Sequence, residues 1–287
     1  MNRDDPQFFQ LDDVGWEPVV EPAGLRRCSG RALSANPETG QSTQMVKGAP
    51  GWKATNCADA GMLEMLVLEG RLTAGTTTVG AGGFVAIPKG SETVELSSDA
   101  GFQAIAFWSP QIARHSYYDG EIQVSRMWDI AWSGTEFPGE IEDSSRLHGV
   151  LSKSLRWPDP IVDGVHGGPN GLLRVVAMAS GFVGDLRAES HPGCWEEIMW
   201  LTGDFLMPGI GRPVSGTYLG NPADHVHGPL FSQRGAVLLV HTDAPAGFCF
   251  HDPPVSEDLV QSYLDGRSLV AEPVHTPWEQ CPESAWF

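Results

Sequence analysis

Two short segments in the second half of the chain carry side chains that could bind a metal ion. The first contains Glu189, His191 and Glu196, and the second contains His225 and His227. Each segment has two such residues two positions apart, and residues i and i+2 of a β-strand face the same side of the strand. Two of these strands lying side by side could bring imidazoles and carboxylates to one point. That is the ligand set of a divalent transition metal that keeps open coordination positions.

The composition narrows the classes of protein to consider. The 287 residues carry 36 acidic and 18 basic side chains, a formal net charge of −18, and such a surface repels phosphate backbones and anionic membranes. The five cysteines are an odd number with no Cys-x-x-Cys pair, which favours a reducing compartment over a disulfide framework. The first residues lack a signal-peptide pattern, and no apolar run reaches membrane-spanning length. We therefore expect a cytoplasmic protein that binds neither nucleic acid nor membranes.

The elements that would position these residues repeat once along the chain. In the first half an apolar segment ends at Gly70 and is followed 18 residues later by Pro88. In the second half a similar segment ends at Gly203 and is followed 19 residues later by Pro222. Each proline leads to a matching apolar strand. The repeat indicates two copies of one fold in tandem.

Short strands bounded by glycine and proline dominate both halves, which is typical of an all-β sandwich or jelly-roll barrel. The best candidate for a helix is Val255–Leu264 near the C-terminus. We expect two tandem barrels, the first over residues 1–138 and the second over residues 139–287. A linker rich in Gly, Glu and Asp is expected over Ser133–Ser144.

The spacing of the first segment resembles the first motif of the cupin superfamily. That motif has a His-x-His pair, three or four residues, a Glu, six residues and a Gly. Here Glu189 stands where the first His is usual, and His191 is the second His. Glu196 and Gly203 follow at the spacing of the motif. The resemblance implies a jelly-roll barrel that holds one metal ion.

The second segment resembles the second cupin motif, in which Pro-x-Gly and two further residues precede a His. Here Pro222 begins the motif, Asp224 replaces the Gly, and His227 occupies the ligand position. The whole pattern is similar to two-barrel proteins related to the ChrR anti-sigma-factor cupin and to acetylacetone-dioxygenase-type cupins. The resemblance covers most of the chain as two tandem cupins, and it implies that His191, Glu196 and His227 are the metal ligands.

The first half departs from the cupin pattern. The residues at its three first-motif positions are Asn56, Ala58 and Leu63 in one register and Cys57, Asp59 and Glu64 in a register shifted by one. Thr93 falls at the His of the second motif. Because neither register supplies a His, the resemblance implies a degenerate, metal-free first cupin and one metal ion per chain.

Several residues near the predicted ligands keep more than one interpretation. Glu189 could be a fourth metal ligand, a hydrogen-bond acceptor that orients a His, a general base, or a solvated strand residue. His225 could be a base that contacts the substrate or a strand-end His in water, and we take Glu189 and His225 as the candidate catalytic residues. His241 could be a hydrogen-bonded core residue or part of the pocket. Glu197 alternates with Glu196, so it is expected to face the opposite side and make a structural hydrogen bond.

The favoured function is that of a mononuclear metal-dependent enzyme that acts on a small organic substrate. Two His and a carboxylate resemble the arrangement that holds iron in non-haem Fe(II) oxygenases, which favours Fe²⁺ and a dioxygenase. The same ligands could hold Zn²⁺ or Mn²⁺ and support hydrolysis, isomerisation or lyase chemistry. A cupin that senses a metal or ligand without enzymatic activity is a second hypothesis, and a metal-free barrel that binds a sugar or another small molecule is a third. The protein could also work as a homodimer.

Overall fold

The computed structural model describes residues 3–19, 25–56, 61–110, 121–134, 150–156, 161–162, 165–167, 171–208 and 210–265. The chain forms two compact units. The first is built on residues 13–130, and the second joins residues 4–12 to the chain after residue 130. The expected domain boundary at residues 138–139 and most of the expected linker lie outside the described residues.

The described chain consists mainly of short strands. In chain order, the first twelve strands are β1 (Gln7–Gln10), β2 (Glu17–Pro18), β3 (Ser29–Ala35), β4 (Ser42–Gly48), β5 (Trp52–Asn56), β6 (Met62–Gly70), β7 (Leu72–Ala74), β8 (Thr77–Val79), β9 (Gly83–Ile87), β10 (Val94–Ser98), β11 (Phe102–Ser109) and β12 (Gln123–Arg126). The following strands are β13 (Ser133–Gly134), β14 (Val150–Ser154), β15 (Ile161–Val162), β16 (Val165–His166), β17 (Leu173–Met178), β18 (Phe182–Val183), β19 (Ala188–Ser190), β20 (Glu196–Gly203), β21 (Thr217–Asn221), β22 (Phe231–Ser232), β23 (Ala236–Thr242) and β24 (Cys249–His251). They are followed by the helix α1 (Glu257–Leu264).

Each unit contains a seven-stranded sheet, and the two sheets have the same order of corresponding strands. The order is β12-β9-β6-β11-β4-β3-β2 in the first unit and β1-β21-β20-β23-β17-β14-β13 in the second. Smaller sheets, β5-β10-β7-β8 in the first unit and the pairs β15-β16, β18-β22 and β19-β24 in the second, contain the other described strands. In this order β6 corresponds to β20 and β11 to β23. The topology therefore confirms the repeat inferred from the sequence.

The glycines that end β6 and β20 occupy the same kind of turn. Gly70 and Gly203 have φ angles of +72° and +83°, a conformation that favours glycine. A Cβ atom at Gly70 would collide with the carbonyl of Gly101, and one at Gly203 would collide with the carbonyl of Gly235. Both positions therefore require glycine, and the pair aligns the two repeats.

One apolar cluster of the second unit lies on one face of its sheet. On that face β20 packs Ile198 and Trp200 into an apolar cluster with Leu219 of β21. Burying side chains of this size contributes roughly 1.5–3 kcal/mol each. Glu196 lies two positions before Ile198 and therefore on the same face. The candidate ligand thus stands at the end of a row of core residues.

The helix α1 begins at Glu257, two residues later than the sequence predicts. The reason is a cap, since the hydroxyl of Ser256 accepts a hydrogen bond from the backbone N–H of Leu259. Near the end of the helix, the hydroxyl of Tyr263 donates a hydrogen bond of 3.0 Å to Oδ2 of Asp204, which links α1 to the segment that follows β20. In the part of the chain that the structure describes, no helix has the length and apolar character needed to cross a membrane.

Candidate metal centre

A backbone bridge joins the two segments that carry the predicted ligands. The backbone N–H of Glu189 donates to the carbonyl of His227, and the N–H of His227 donates to the carbonyl of Glu189, both at 2.8 Å. This antiparallel bridge lies outside the regular strand pairs. It sets residues 38 positions apart in the chain directly opposite each other.

Both histidine rings are held by backbone carbonyls. Nδ1 of His191 lies 2.8 Å from the carbonyl oxygen of Gly247, and Nδ1 of His227 lies 3.1 Å from that of His225. A carbonyl oxygen can only accept, so each Nδ1 carries the hydrogen and each Nε2 faces away from its carbonyl. A hydrogen bond at one ring nitrogen is how proteins orient the other nitrogen towards a metal.

The carboxylate of Glu196 lies between the two rings. Oε1 is 3.3 Å from Nε2 of His191, and Oε2 is 3.1 Å from Nε2 of His227. Both Nε2 atoms are therefore within ion-pair range of the one carboxylate.

Glu189 completes the cluster from the side nearest solvent. Its Oε1 lies 3.8 Å from Nε2 of His227, and its side chain is 16% exposed. Candidate ligand atoms of Glu189, His191 and His227 all lie within 4.8 Å of one another. Ser190, between the first two, instead places its hydroxyl 2.9 Å from Nε2 of His251. The structure thus brings together all four residues that the sequence singled out as metal ligands.

Burial and the opposite charges shift the pKa values of this cluster. Burial raises the pKa of Glu189. Burial alone would raise the pKa of Glu196 as well, but the charges of His191 and His227 outweigh it and hold the pKa well below its ordinary value. Burial likewise disfavours charge on the imidazoles, yet the carboxylate of Glu196 raises the pKa of His191 to about 10 and also raises that of His227. Without a cation, the cluster therefore balances its charge with protons on the rings.

A separate hydrogen-bonded group lies on the opposite face of β20. Glu197 accepts hydrogen bonds from the ring N–H of Trp195 and from the hydroxyl of Tyr218, both at 2.9 Å. It also lies 3.0 Å from Nδ1 of His241. The structural role expected of Glu197 is confirmed, and His241 is a hydrogen-bonded core residue rather than part of the pocket.

His225 lies beside the cluster without joining it. Its carbonyl holds the ring of His227, and its own side chain is only half-buried. Its pKa is lowered by partial burial and then by the charge of His227. This places it at the edge of the site, where a base that contacts the substrate could stand.

Two further residues at the site were not anticipated from the sequence. Asn221 donates a hydrogen bond of 3.0 Å from Nδ2 to Oε2 of Glu196. Phe248, which is half-buried, packs edge-on against the ring of His191 with 4.7 Å between ring centroids. Asn221 directly precedes Pro222 of the second motif, and this position in the sequence could have identified it as a residue near the site. Phe248 has no such signal, because it follows the last strand of the repeat.

The first unit has an apolar residue at the position that corresponds to Glu196. Counting back seven residues from the paired glycines places Leu63 at the position of Glu196 and Glu64 at that of Glu197. Leu63 pairs across the sheet with Ile87 and Trp108, and all three belong to the apolar core. The register that places Leu63 at the Glu position is therefore the one the fold adopts. The positions predicted for residues 57–60 lie outside the described residues.

Comparisons with known proteins support the fold. No protein-family model matches the chain, and no curated protein matches it. A candidate dioxygenase from Nostoc punctiforme matches with a TM-score of 0.66 and 18% identity, covering 86% of this chain and 87% of that chain. A variant of oxalate decarboxylase from Bacillus subtilis matches with a TM-score of 0.51 and 13% identity, covering 93% and 87%. A bacterial pirin from Escherichia coli, solved in complex with nickel(II), matches with a TM-score of 0.50 and 10% identity, covering 84% and 100%.

These similar structures are cupin-fold proteins, and identities this low establish the fold alone. They confirm, at the level of the fold, the resemblance that the two motifs carry. The closer likeness to ChrR-related and acetylacetone-dioxygenase-type cupins stays a prediction. With its two seven-stranded sheets of matching strand order, the chain has the cupin fold, present twice in tandem.

Proposed function

We propose that the second unit is a metal-dependent catalytic barrel that holds one divalent transition metal through His191, Glu196 and His227. One observation carries the proposal: two buried imidazole Nε2 atoms converge on one carboxylate, while backbone carbonyls hold both Nδ1 atoms. Imidazole nitrogen and carboxylate oxygen are the donors that such metals take in proteins. The residues present therefore fit the metal that the cupin fold implies.

The function we favour is that of an Fe²⁺-dependent dioxygenase with a small organic substrate. Two histidines and a carboxylate with open positions are the donor set of non-haem Fe(II) oxygenases. The similar protein from Nostoc punctiforme is described as a candidate dioxygenase. When bound, the ion would supply the activation of O₂ and the polarisation of a chelated substrate.

The side chains around the donor set would orient the substrate and move its protons. Phe248 packs edge-on against the ring of His191 and would limit the access of water to that ring. Glu189, the more exposed of the two carboxylates, could ligate the ion or take a proton from the substrate as it binds. His225 has a lowered pKa, which keeps its ring neutral and able to accept that proton at the edge of the site.

A second class of reaction is supported by the number of carboxylates at the site. Glu189 and Glu196 together make a donor set that favours harder ions such as Mn²⁺. Mn²⁺ or Zn²⁺ held there would support hydrolase, isomerase or lyase chemistry. Oxalate decarboxylase, which is similar in fold, is named for a reaction of the lyase type.

Metal analysis of protein purified without added metal, followed by measurement of O₂ uptake, tests the proposal. We expect one metal ion per chain, because the described residues contain one group of candidate ligands, Glu189, His191 and His227, and Glu196 lies against both of its rings. We expect O₂ consumption when the Fe²⁺-loaded protein receives small diketones or phenols. Turnover without O₂ would select the hydrolase, isomerase or lyase alternative. A bound metal with no turnover would favour a sensing role, and no metal binding would contradict the proposal.

The affinity for the metal should rise with pH. The pKa of His191 is raised to about 10 in the metal-free protein, because the charge of Glu196 outweighs burial. A metal ion must displace that proton, so binding strengthens as the pH rises towards this value. Calorimetric titration with Zn²⁺ in buffers of different ionisation enthalpy should show the release of protons. An affinity that does not change with pH would contradict this expectation.

The stability of the metal-free protein should follow the opposite trend. The pKa of His191 in the fold, about 10, lies above its ordinary value of 6.5. The ion pair with Glu196 therefore contributes stability that is fully present below about pH 6.5 and is lost as the pH rises through about 10. Thermal unfolding of the metal-free protein should shift to lower temperature over this range. Saturating metal should reverse the trend.

A further inference from the structure

The carboxamide of Asn221 contacts the candidate metal centre at one of its two ends. Asn221 on β21 pairs directly with Glu196 on β20, so the two side chains share a face of the sheet. Its Nδ2 donates to Oε2 of Glu196 at 3.0 Å, and the same oxygen lies 3.1 Å from Nε2 of His227. The reverse orientation would set the amide oxygen against a carboxylate, so the charge on Glu196 decides which end faces it.

The other end of this carboxamide is buried without a protein partner. Asn221 is 2% exposed, and its Oδ1 receives no hydrogen bond from any residue that the structure describes. Both ends belong to one small planar group, so Oδ1 lies next to the nitrogen that contacts Glu196. A buried oxygen of this kind is costly unless a donor reaches it.

The first unit shows that the cupin fold does not need an amide at this position. There Leu63 takes the place of Glu196, and Ile87 takes the place of Asn221. Both belong to the apolar core of that unit. The same pair of strands therefore folds with two aliphatic side chains. The carboxamide occurs in the unit that also carries the two converging histidines.

We propose that Oδ1 of Asn221 accepts a hydrogen bond from an O–H or N–H group of the molecule bound at the metal centre. The substrate is then a chelator that carries such a donor next to its metal-binding atom. This inference rests on the proposed function and narrows its substrate class. A catechol bound as its monoanion and an α-hydroxy acid both have this hydroxyl, whereas the enolate of a β-diketone offers only acceptor oxygens. The site therefore selects hydroxyl-bearing chelators over diketones.

The test compares two chelators on the Zn²⁺-loaded wild type and on the Zn²⁺-loaded Asn221→Leu variant. Metal content is measured first, and 4-nitrocatechol and acetylacetone are then titrated separately with absorbance as the readout. Leucine is close to asparagine in shape, and Ile87 shows that an aliphatic residue fits the corresponding strand. The affinity for 4-nitrocatechol should fall about tenfold through the loss of one hydrogen bond. The affinity for acetylacetone should fall much less, because any effect that acts through Glu196 and the metal applies to both chelators alike.

Asn221→Ala serves as a second variant if the leucine variant fails to fold, with the same difference expected between the two probes. Equal losses for both probes would overturn the inference, because Asn221 would then act only by holding Glu196. Unchanged affinity for both probes would overturn it as well, as would a metal-loaded wild type that binds neither probe. Failure of the wild type to take up metal would contradict the proposed function itself, and this would be evident before any probe is added.

Discussion

Replacing His227 or His191 with alanine should abolish metal binding at concentrations that saturate the wild-type protein. Each imidazole supplies one of at most four protein ligands. Removing only the outer hydrogen-bond partner of a metal ligand costs about 10- to 100-fold in affinity, so losing the ligand itself should cost more than about 100-fold. The one remaining imidazole would also be the only ring left to neutralise the charge of Glu196. Metal content after gel filtration and calorimetric titration would measure the effect.

The same substitutions should remove the stabilisation that metal confers. A ligand present at about 100 times its dissociation constant stabilises a fold by about 2.7 kcal/mol. In the wild type, added metal should raise the unfolding temperature accordingly. In His191→Ala and His227→Ala the unfolding temperature should be the same with and without metal.

Two control variants separate ligand loss from general damage. Glu64→Gln changes the first-unit counterpart of Glu197. It should leave the metal content unchanged, because the residue beside it, Leu63, belongs to an apolar core and not to a group of metal ligands. His225→Ala should also retain the metal, because it is the carbonyl of His225 rather than its ring that contacts His227. Full metal occupancy in His227→Ala, combined with loss of metal in His225→Ala, would transfer the ligand role to His225.

Glu189→Gln should separate the two roles that remain open for Glu189. Glutamine keeps the shape and an oxygen donor but loses the charge and the basicity of the carboxylate. If Glu189 is a general base, the variant should keep its metal and lose most of its turnover, since general base catalysis contributes about 10²- to 10⁴-fold. If Glu189 is a ligand, the metal affinity itself should fall. Metal analysis and turnover on the same preparation distinguish these results.

Unchanged metal content and unchanged turnover in Glu189→Gln would exclude both roles. The side chain would then only fill space at the open side of the site, where it is 16% exposed. Glu189→Asp provides a matched comparison, because it keeps the charge but shortens the side chain. A base that must reach a substrate proton should tolerate this shortening poorly, whereas a purely electrostatic group should tolerate it well.

The sequence by itself determined the features that depend on local geometry. Alternation along a strand predicts that Glu189 and His191 face one side and that Glu196 and Glu197 face opposite sides, because this period is a property of any extended chain. The repeat and the tandem all-β architecture were also readable, since the turn glycines Gly70 and Gly203 recur at matching places.

The tertiary structure alone decided which residues meet across strands. The bridge between Glu189 and His227 depends on cross-strand register, which no local pattern states. The same holds for the carbonyl of Gly247 that orients His191 and for Asn221 opposite Glu196. These contacts join segments that are distant in the chain, so the spacing of residues within each segment does not predict them.

Register also decided between interpretations that the sequence left open. In the first unit two alignments differ by one residue, and a shift by one residue exchanges the two faces of a strand. Only the strand pairing shows that Leu63 faces the position corresponding to the metal centre. Likewise, His241 lies opposite Glu197 rather than Glu196, and this assigns it to a buried hydrogen bond instead of the site. Residue type and spacing predict a metal site, whereas the pairing of strands determines which side chains are close enough to form it.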